Sequence, residues 1–343
     1  MTVLRESPQP AIVGPAPTRS SGLGLAARRA FGGLLPLLDD HDLRDMLVHV
    51  RGGVGELWLD RGIQLERVIG WEATPAAVRE LATALIAAGG RHLDELQPCA
   101  DVRLGDGIRV HAVLPPVSVA GAAVSIRVPS PAMPDFARMV RRGLCNAETA
   151  WQLVRLVERR RNFLITGGTA SGKTTLLTAL LNRCGPGERI ITIEDVAEIR
   201  LRHEHVVALE ARPASAEGVG EVTVERLLRE ALRMRPDRIV LGECRGAEIV
   251  TLLTALNTGH DGGAGTLHAS HLADVPARLE ALGSLAGLAP AALGRQAASA
   301  LHAVVHVERG PRGHRVAAIG ALCLGRGGVL EVGELAGLSE AAD

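Results

Sequence analysis

The pattern of apolar and polar positions changes character near residue 130. Before it, short alternating runs read as strands at 55–59, 63–69, 100–104, 108–114 and 122–128. Asp60-Arg61-Gly62 and Gly105-Asp106-Gly107 supply turn chemistry between neighbouring runs. Helical periodicity runs from about residue 21 to 50, and a second helix starts at the N-cap Thr74, continues to Ala88 and stops at Gly89-Gly90. This half predicts a small α+β domain over 21–128, behind a Pro-, Ser- and Gly-rich tail, 1–20, expected to be disordered. A Pro-containing linker around a short helix follows at 129–146.

From 147 to 343 the pattern alternates strands with helices, as βαβ units of a parallel sheet do. Strands are expected at 162–166, 189–193, 206–209, 238–241 and 265–268, with terminal strands between 302 and 332. The helix at 224–234 places Leu227, Leu228, Ala231 and Leu232 on one face. The predicted fold class is α/β: a phosphate-loop domain with a parallel-rich sheet, preceded by a smaller α+β domain.

Composition narrows the function classes. The 343 residues suit two domains, and 47% hydrophobic content supports real cores. Aromatics are only 2%, with no tyrosine, so those cores rest on Leu, Val, Ile and Ala. The 38 basic residues balance 38 acidic ones, so no global charge draws the chain to nucleic acid or anionic lipid. No apolar run approaches the roughly 20 residues that span a bilayer. The first residues lack the apolar core of a signal peptide, and a cytoplasmic location is expected. Five scattered cysteines without a C-x-x-C pair argue against a disulfide framework or a tetrathiolate zinc site. Among the basic residues one is lysine, Lys173, and the other 37 are arginine.

That lysine sits in Gly167-Gly168-Thr169-Ala170-Ser171-Gly172-Lys173-Thr174-Thr175, after an apolar strand and before a helix carrying Leu176, Leu177, Leu180 and Leu181. G-x-x-x-x-G-K-T in strand–loop–helix context is a phosphate loop. Glycines let backbone N–H groups converge on a phosphate, and the helix N-terminus adds a favourable dipole. Lys173 is expected on the β- and γ-phosphates of ATP, and the Thr174 hydroxyl on Mg²⁺. Two predicted strands end in carboxylates, one in Glu194-Asp195 and one in Gly242-Glu243. Strand C-termini of a parallel sheet gather at the ligand-binding edge, so these are expected beside the γ-phosphate, where a carboxylate orders or deprotonates a water. His203 and His205 alternate along a strand; His260 and His268 flank Asp261-Gly-Gly-Ala-Gly265. A metal site there needs a third ligand, and phosphate sensing by His268 is the preferred reading.

The order of these motifs resembles the type II/IV secretion ATPase superfamily, closest to its Tad/Flp-pilus, CpaF-like branch, the TadA-family conjugal-transfer-associated ATPases. The resemblance covers about residues 50–310. It is carried by GGTASGKTTLL (167–177), ITIEDVAEIRL (191–201), the stretch from ALEARP to LGECRGAE (208–248) and ALNTGHDGGAGTLHAS (255–270), with DVRLGDGIRVHAVLPP (101–116) and VSIRVP (124–129) upstream. In family terms these are Walker A, Asp box, Walker B, His box and the N-terminal domain. The resemblance implies a RecA-like ATPase domain, a homohexameric ring, and nucleotide bound between two domains. It also implies work on inner-membrane platform proteins in pilus assembly or secretion. It makes Glu243 the Walker B glutamate, puts Glu194 in the Asp box and His268 in the His box, and assigns Arg109 and Arg127 to the γ-phosphate. Nucleic acid is not an expected partner, since neutrality and scarce aromatics suit neither backbone contacts nor base stacking. A conjugal nucleic-acid translocase and a phosphate-loop kinase are the alternatives. Ala170 departs from the family's usual glycine, a change that a backbone with negative φ accommodates. Gly263-Ala264-Gly265 and Ser270 also depart, and the zinc-binding tetracysteine of some relatives is absent.

Overall fold

The computed structural model describes residues 18–62, 64–105, 107–129, 134–212, 219–310 and 313–334. Residues 1–17 of the expected tail, Ile63 and Asp106 of the expected strand and turn, and 130–133 of the expected linker lie outside the described residues. The chain divides into two compact units, Met1–Ala132 and Met133–Asp343.

In the first unit, helix α1 (Leu25–Phe31) precedes strands β1 (Asp45–Arg51), β2 (Val54–Asp60) and β3 (Leu65–Arg67). Helix α2 (Pro75–Ala88) then leads to β4 (Cys99–Leu104), β5 (Ile108–Val113) and β6 (Ala123–Arg127). The strands form one antiparallel sheet in the order β3-β2-β1-β6-β5-β4. Period-two alternation turns Met46, Val48, Val50, Leu57, Leu59, Val110 and Ile126 onto Val78, Ala82, Leu85 and Ile86 of α2. The expected α2 is present with its cap: the Thr74 hydroxyl accepts from the Ala77 N–H at 3.2 Å.

Three expectations here are corrected. The helix expected to about residue 50 gives way after Asp39, and 45–51 is β1, a central strand. Its alternation Met46-x-Val48-x-Val50 overrides helical propensity, because pairing with β2 and β6 buries those three side chains. The strand expected over 63–69 shrinks to Leu65–Arg67, an edge strand with all three residues exposed. Arg19 and Ser20, placed in the disordered tail, are held: the Arg19 guanidinium donates to the Leu38 and Asp40 carbonyls, and Ser20 donates to Asp39 through N–H and hydroxyl.

The second unit contains α3 (Phe136–Arg141), α4 (Ala147–Glu158), β7 (Phe163–Gly167), α5 (Lys173–Leu181), β8 (Ile190–Glu194), β9 (Val206–Glu210) and α6 (Val224–Ala231). It continues with β10 (Arg238–Cys244), α7 (Glu248–Asn257), β11 (Ala264–His268), α8 (Val275–Leu285) and α9 (Pro290–Ala300). Strands β12 (Ala303–Gly310), β13 (Gly313–Leu324) and β14 (Leu330–Glu334) complete the sheet, whose order is β14-β13-β12-β7-β11-β10-β8-β9. From β12 to β9 every neighbouring pair is parallel; β13 and β14 add an antiparallel edge.

Both faces of this sheet are covered, which is why its central strands read as unbroken apolar runs. Leu164, Ile191, Ile193 and Leu241 pack with α6 to α9, whereas Phe163, Ile165, Ile190 and Val240 pack with α3 to α5. Fully burying each such side chain contributes about 1.5–3 kcal/mol. The sheet therefore forms a rigid frame, and its C-terminal edge presents the loops that follow β7, β8, β10 and β11.

Candidate functional site: the carboxyl edge of the parallel sheet

The phosphate loop leaves β7 at Gly167 and enters α5 at Lys173. A side chain at Gly167 is excluded, because a Cβ there would lie 2.2 Å from the Val307 carbonyl oxygen and 2.5 Å from the Ser171 hydroxyl. Gly172 has φ +91°, and a Cβ there would lie 3.1 Å from the His314 ring. Ala170 has φ +57°, which overturns the expectation of a negative value: the loop needs the left-handed conformation here, and alanine adopts it at a cost of about 1–2 kcal/mol.

Helices α2, α3, α4 and α6 begin with a side chain accepting from their first turn. The N-terminus of α5 has no side-chain cap. The same holds for α1, α7, α8 and α9, so it is the phosphate-loop sequence before α5 that marks its N–H groups for an anion. Among the described residues the buried Ser171 hydroxyl makes no hydrogen bond, and Lys173 Nζ donates to the Gly167 and Gly168 carbonyls at 3.0 and 2.9 Å. Burial pulls the Lys173 pKa below the ordinary ammonium value; the Glu243 carboxylate opposes this and the Arg245 guanidinium reinforces it. An uncapped helix, an orphaned hydroxyl and a buried cation fit a polyphosphate. Thr174, in the first turn of α5 beside this loop, is the residue that would hold its Mg²⁺.

Sheet register gathers the remaining residues. His268 ends β11 directly opposite Gly167 of β7. Leu267 pairs with Cys244, which sets Glu243 one strand further along the same edge. The Thr266 hydroxyl donates to the Gly242 carbonyl at 2.6 Å and ties β11 to β10. Glu194 ends β8, next to β10. The sheet thus brings together Gly167–Lys173, Glu194, Glu243 and His268.

Their environments differ. Glu194 is buried, and its Oε1 accepts from the Glu198 and Ile199 N–H groups at 3.0 and 3.2 Å. A Cβ at Gly242 would fall 2.5 Å from its Cγ, which explains the glycine before Glu243. Glu243 is partly exposed, accepts on Oε2 from Arg245 Nε at 2.6 Å, and has Arg245 Nη2 in ion-pair contact with the same oxygen at 2.5 Å. Arg245 Nη1 also lies 3.8 Å from Asp195. Arg245 is the residue that pattern reading missed: its signal is the spacing Glu243-x-Arg245-x-x-Glu248, in which Glu248 accepts from the Arg245 and Gly246 N–H groups at 2.6 and 2.7 Å.

Arg109 and Arg127 belong to the first unit. They are direct cross-strand partners on β5 and β6, and Arg127 Nε donates to Asp45 of β1 at 3.3 Å. Among the described residues no group of three or more His, Cys, Asp or Glu side chains is arranged to hold a metal ion, and the His203/His205 and His260/His268 pairs do not form one. His203 and His260 are instead set against the backbone carbonyls of Gly185 and Ala255.

Comparison with known proteins agrees with this layout. A family model described as type II/IV secretion system protein matches residues 69–309. The chain is 49% identical over 290 residues to the putative conjugal transfer protein Rv3659c of Mycobacterium tuberculosis (strain ATCC 25618 / H37Rv), covering 83% of this chain and 82% of that one. It is 32% identical over 283 residues to the probable conjugal transfer protein TrbB of Sinorhizobium fredii (strain NBRC 101917 / NGR234), covering 81% and 83%. The solved ATPase DotB of Legionella pneumophila superposes with a TM-score of 0.56 at 20% identity, over 80% of this chain and 74% of that one, a likeness of fold. With a phosphate loop, two strand-end carboxylates and a histidine on one sheet edge, and with relatives of this identity and coverage, the chain belongs to the type II/IV secretion system protein family.

Proposed function

We propose that the protein is a Mg²⁺-dependent ATP hydrolase of the Tad/Flp-pilus branch, powering pilus assembly or secretion as a homohexamer that works on inner-membrane platform proteins. The observation that carries this reading is the convergence of Lys173, Glu243, Glu194 and His268 on one edge of a parallel sheet, beside an uncapped helix N-terminus.

In this reading the loop 167–172 and Thr175 cradle the phosphates, Lys173 neutralises the β- and γ-oxygens, and Thr174 holds Mg²⁺, which offsets phosphate charge. Glu243 orders the attacking water, His268 senses the γ-phosphate, and Glu194 shapes the loop after β8. Arg127 and Arg109 are the arginines assigned to γ-phosphate charge. The residues after the phosphate loop follow motor motifs and not the acceptor site of a kinase. The balanced charge and 2% aromatic content argue against a nucleic-acid translocase.

Hydrolysis of ATP without any acceptor, and its loss in Lys173→Ala, test the proposal. Lys173→Ala should abolish phosphate release while circular dichroism stays that of the parent, because α5 is packed through Leu176, Leu177 and Leu180. Near-parental turnover in this variant would remove Lys173 from the site.

A further inference from the structure

The Glu243–Arg245 pair has a directional feature. Both guanidinium nitrogens that reach Glu243 lie on the same carboxylate oxygen, Oε2: Nε donates a hydrogen bond at 2.6 Å and Nη2 is in ion-pair contact at 2.5 Å. Among the described residues, Oε1 accepts no hydrogen bond. A carboxylate anchored at one oxygen has a narrower range of positions and keeps its other oxygen open to a water.

An exposed ion pair two residues apart is ordinarily worth little. Here the backbone under the guanidinium is pinned as well. Glu248, buried at the start of α7, accepts from the Arg245 and Gly246 N–H groups at 2.6 and 2.7 Å. A Cβ at Gly246 would lie 2.9 Å from Glu248 Oε2, so the turn closes tightly over that carboxylate. On its far side Arg245 Nη1 is 3.8 Å from Asp195, in the loop after β8. The strand β10, the turn into α7 and the loop after β8 therefore converge on one planar group. Lysine, a point charge on a flexible stem, does not reproduce that fork.

We propose that Arg245 is a positioning residue for ATP hydrolysis: it anchors Oε2 of Glu243 so that Oε1 faces the attacking water. This rests on the ATP-hydrolase reading above. In the step it supports, the water oxygen bonds to the γ-phosphorus as the bond to the β–γ bridging oxygen breaks. The water proton passes to Glu243 Oε1, and ADP leaves with the bridging oxygen. Arg245 transfers nothing; it restricts where the accepting oxygen lies.

The test compares the parent, Glu243→Gln, Arg245→Ala, Arg245→Lys and the double variant Glu243→Gln/Arg245→Ala. The readouts are kcat and KM for ATP and the affinity for a fluorescent ATP analogue. Arg245→Ala should lower kcat about tenfold or more while KM and analogue affinity stay within about twofold. Added guanidinium should restore part of its rate, and Arg245→Lys should fall between parent and Arg245→Ala. In the Glu243→Gln background, Arg245→Ala should cause no further loss beyond about twofold, because its effect runs through Glu243. Unchanged kcat in Arg245→Ala overturns the proposal. So does an equal loss in both backgrounds, or a parallel loss of analogue affinity, which would make Arg245 a phosphate ligand. Absence of hydrolysis in the parent, or parental turnover in Glu243→Gln, instead sinks the underlying hydrolase reading.

Discussion

Ala170 carries φ +57° in the loop proposed to hold phosphate, and its methyl group is the cost of that geometry. An L-residue in the left-handed region loses about 1–2 kcal/mol, whereas glycine loses about 0.4–1 kcal/mol through the freedom of the unfolded chain. The difference favours glycine. Ala170→Gly should stabilise the protein by about 0.5–1 kcal/mol and raise Tm by about 1–4 °C in a thermal scan; a fall in Tm would show that the loop carries no such strain. The two acidic residues separate on equally local grounds. Glu243 has a carboxylate oxygen free of hydrogen bonds among the described residues, while both oxygens of Glu194 accept, Oε1 from the Glu198 and Ile199 N–H groups and Oε2 from that of Ile199. Glu243→Gln should therefore bind ATP and hydrolyse it about 100-fold more slowly or worse, the scale of a lost general base. Glu194→Gln keeps an amide oxygen that can accept from those N–H groups and should lose about tenfold or less. If Glu194→Gln is the more damaging change, the base lies in the loop after β8.

At the scale of elements, the start of α2 at Thr74 was legible in the sequence, whereas the caps of α3, α4 and α6 came only with the structure. Asp135, Asn146 and Thr223 accept from the N–H groups of Arg138, Thr149 and Arg226 at 2.6, 2.8 and 3.2 Å, and Thr74 does the same for α2. Thr74→Ala should cost about 1 kcal/mol, seen as a lower midpoint for unfolding of the N-terminal unit with an unchanged folded spectrum. An unaltered midpoint would mean that solvent caps α2 as well as the hydroxyl does. Strand β1 was illegible for the opposite reason. Its residues follow a helical stretch, and only pairing on both sides makes its alternation decisive. The edge strand β3 is short because it has one partner and buries nothing.

At the scale of the whole molecule, no described helix is long and apolar enough to cross a membrane. On the proposed reading, work at a membrane runs through partners and through a ring of copies. Hydrolysis per subunit should then rise with protein concentration as rings assemble, alongside a heavier species in sedimentation. A flat rate in a preparation that stays monomeric would count against the ring.

What the sequence determined by itself is whatever depends on neighbours along the chain. The phosphate loop, the Thr74 cap, the apolar runs of the parallel strands and the turn glycines all follow from local sterics and hydrogen bonding, so the α/β class and Lys173 were readable from spacing alone. Tertiary structure decided what depends on residues far apart in sequence. It set His268 opposite Gly167, locked Glu194 onto its own loop against Gly242, and placed Arg245 where it could hold one oxygen of Glu243. It also imposed a positive φ on Ala170. Local pattern does not encode these, because the position of a side chain between two strands is fixed by pairing register and by packing on both faces of the sheet.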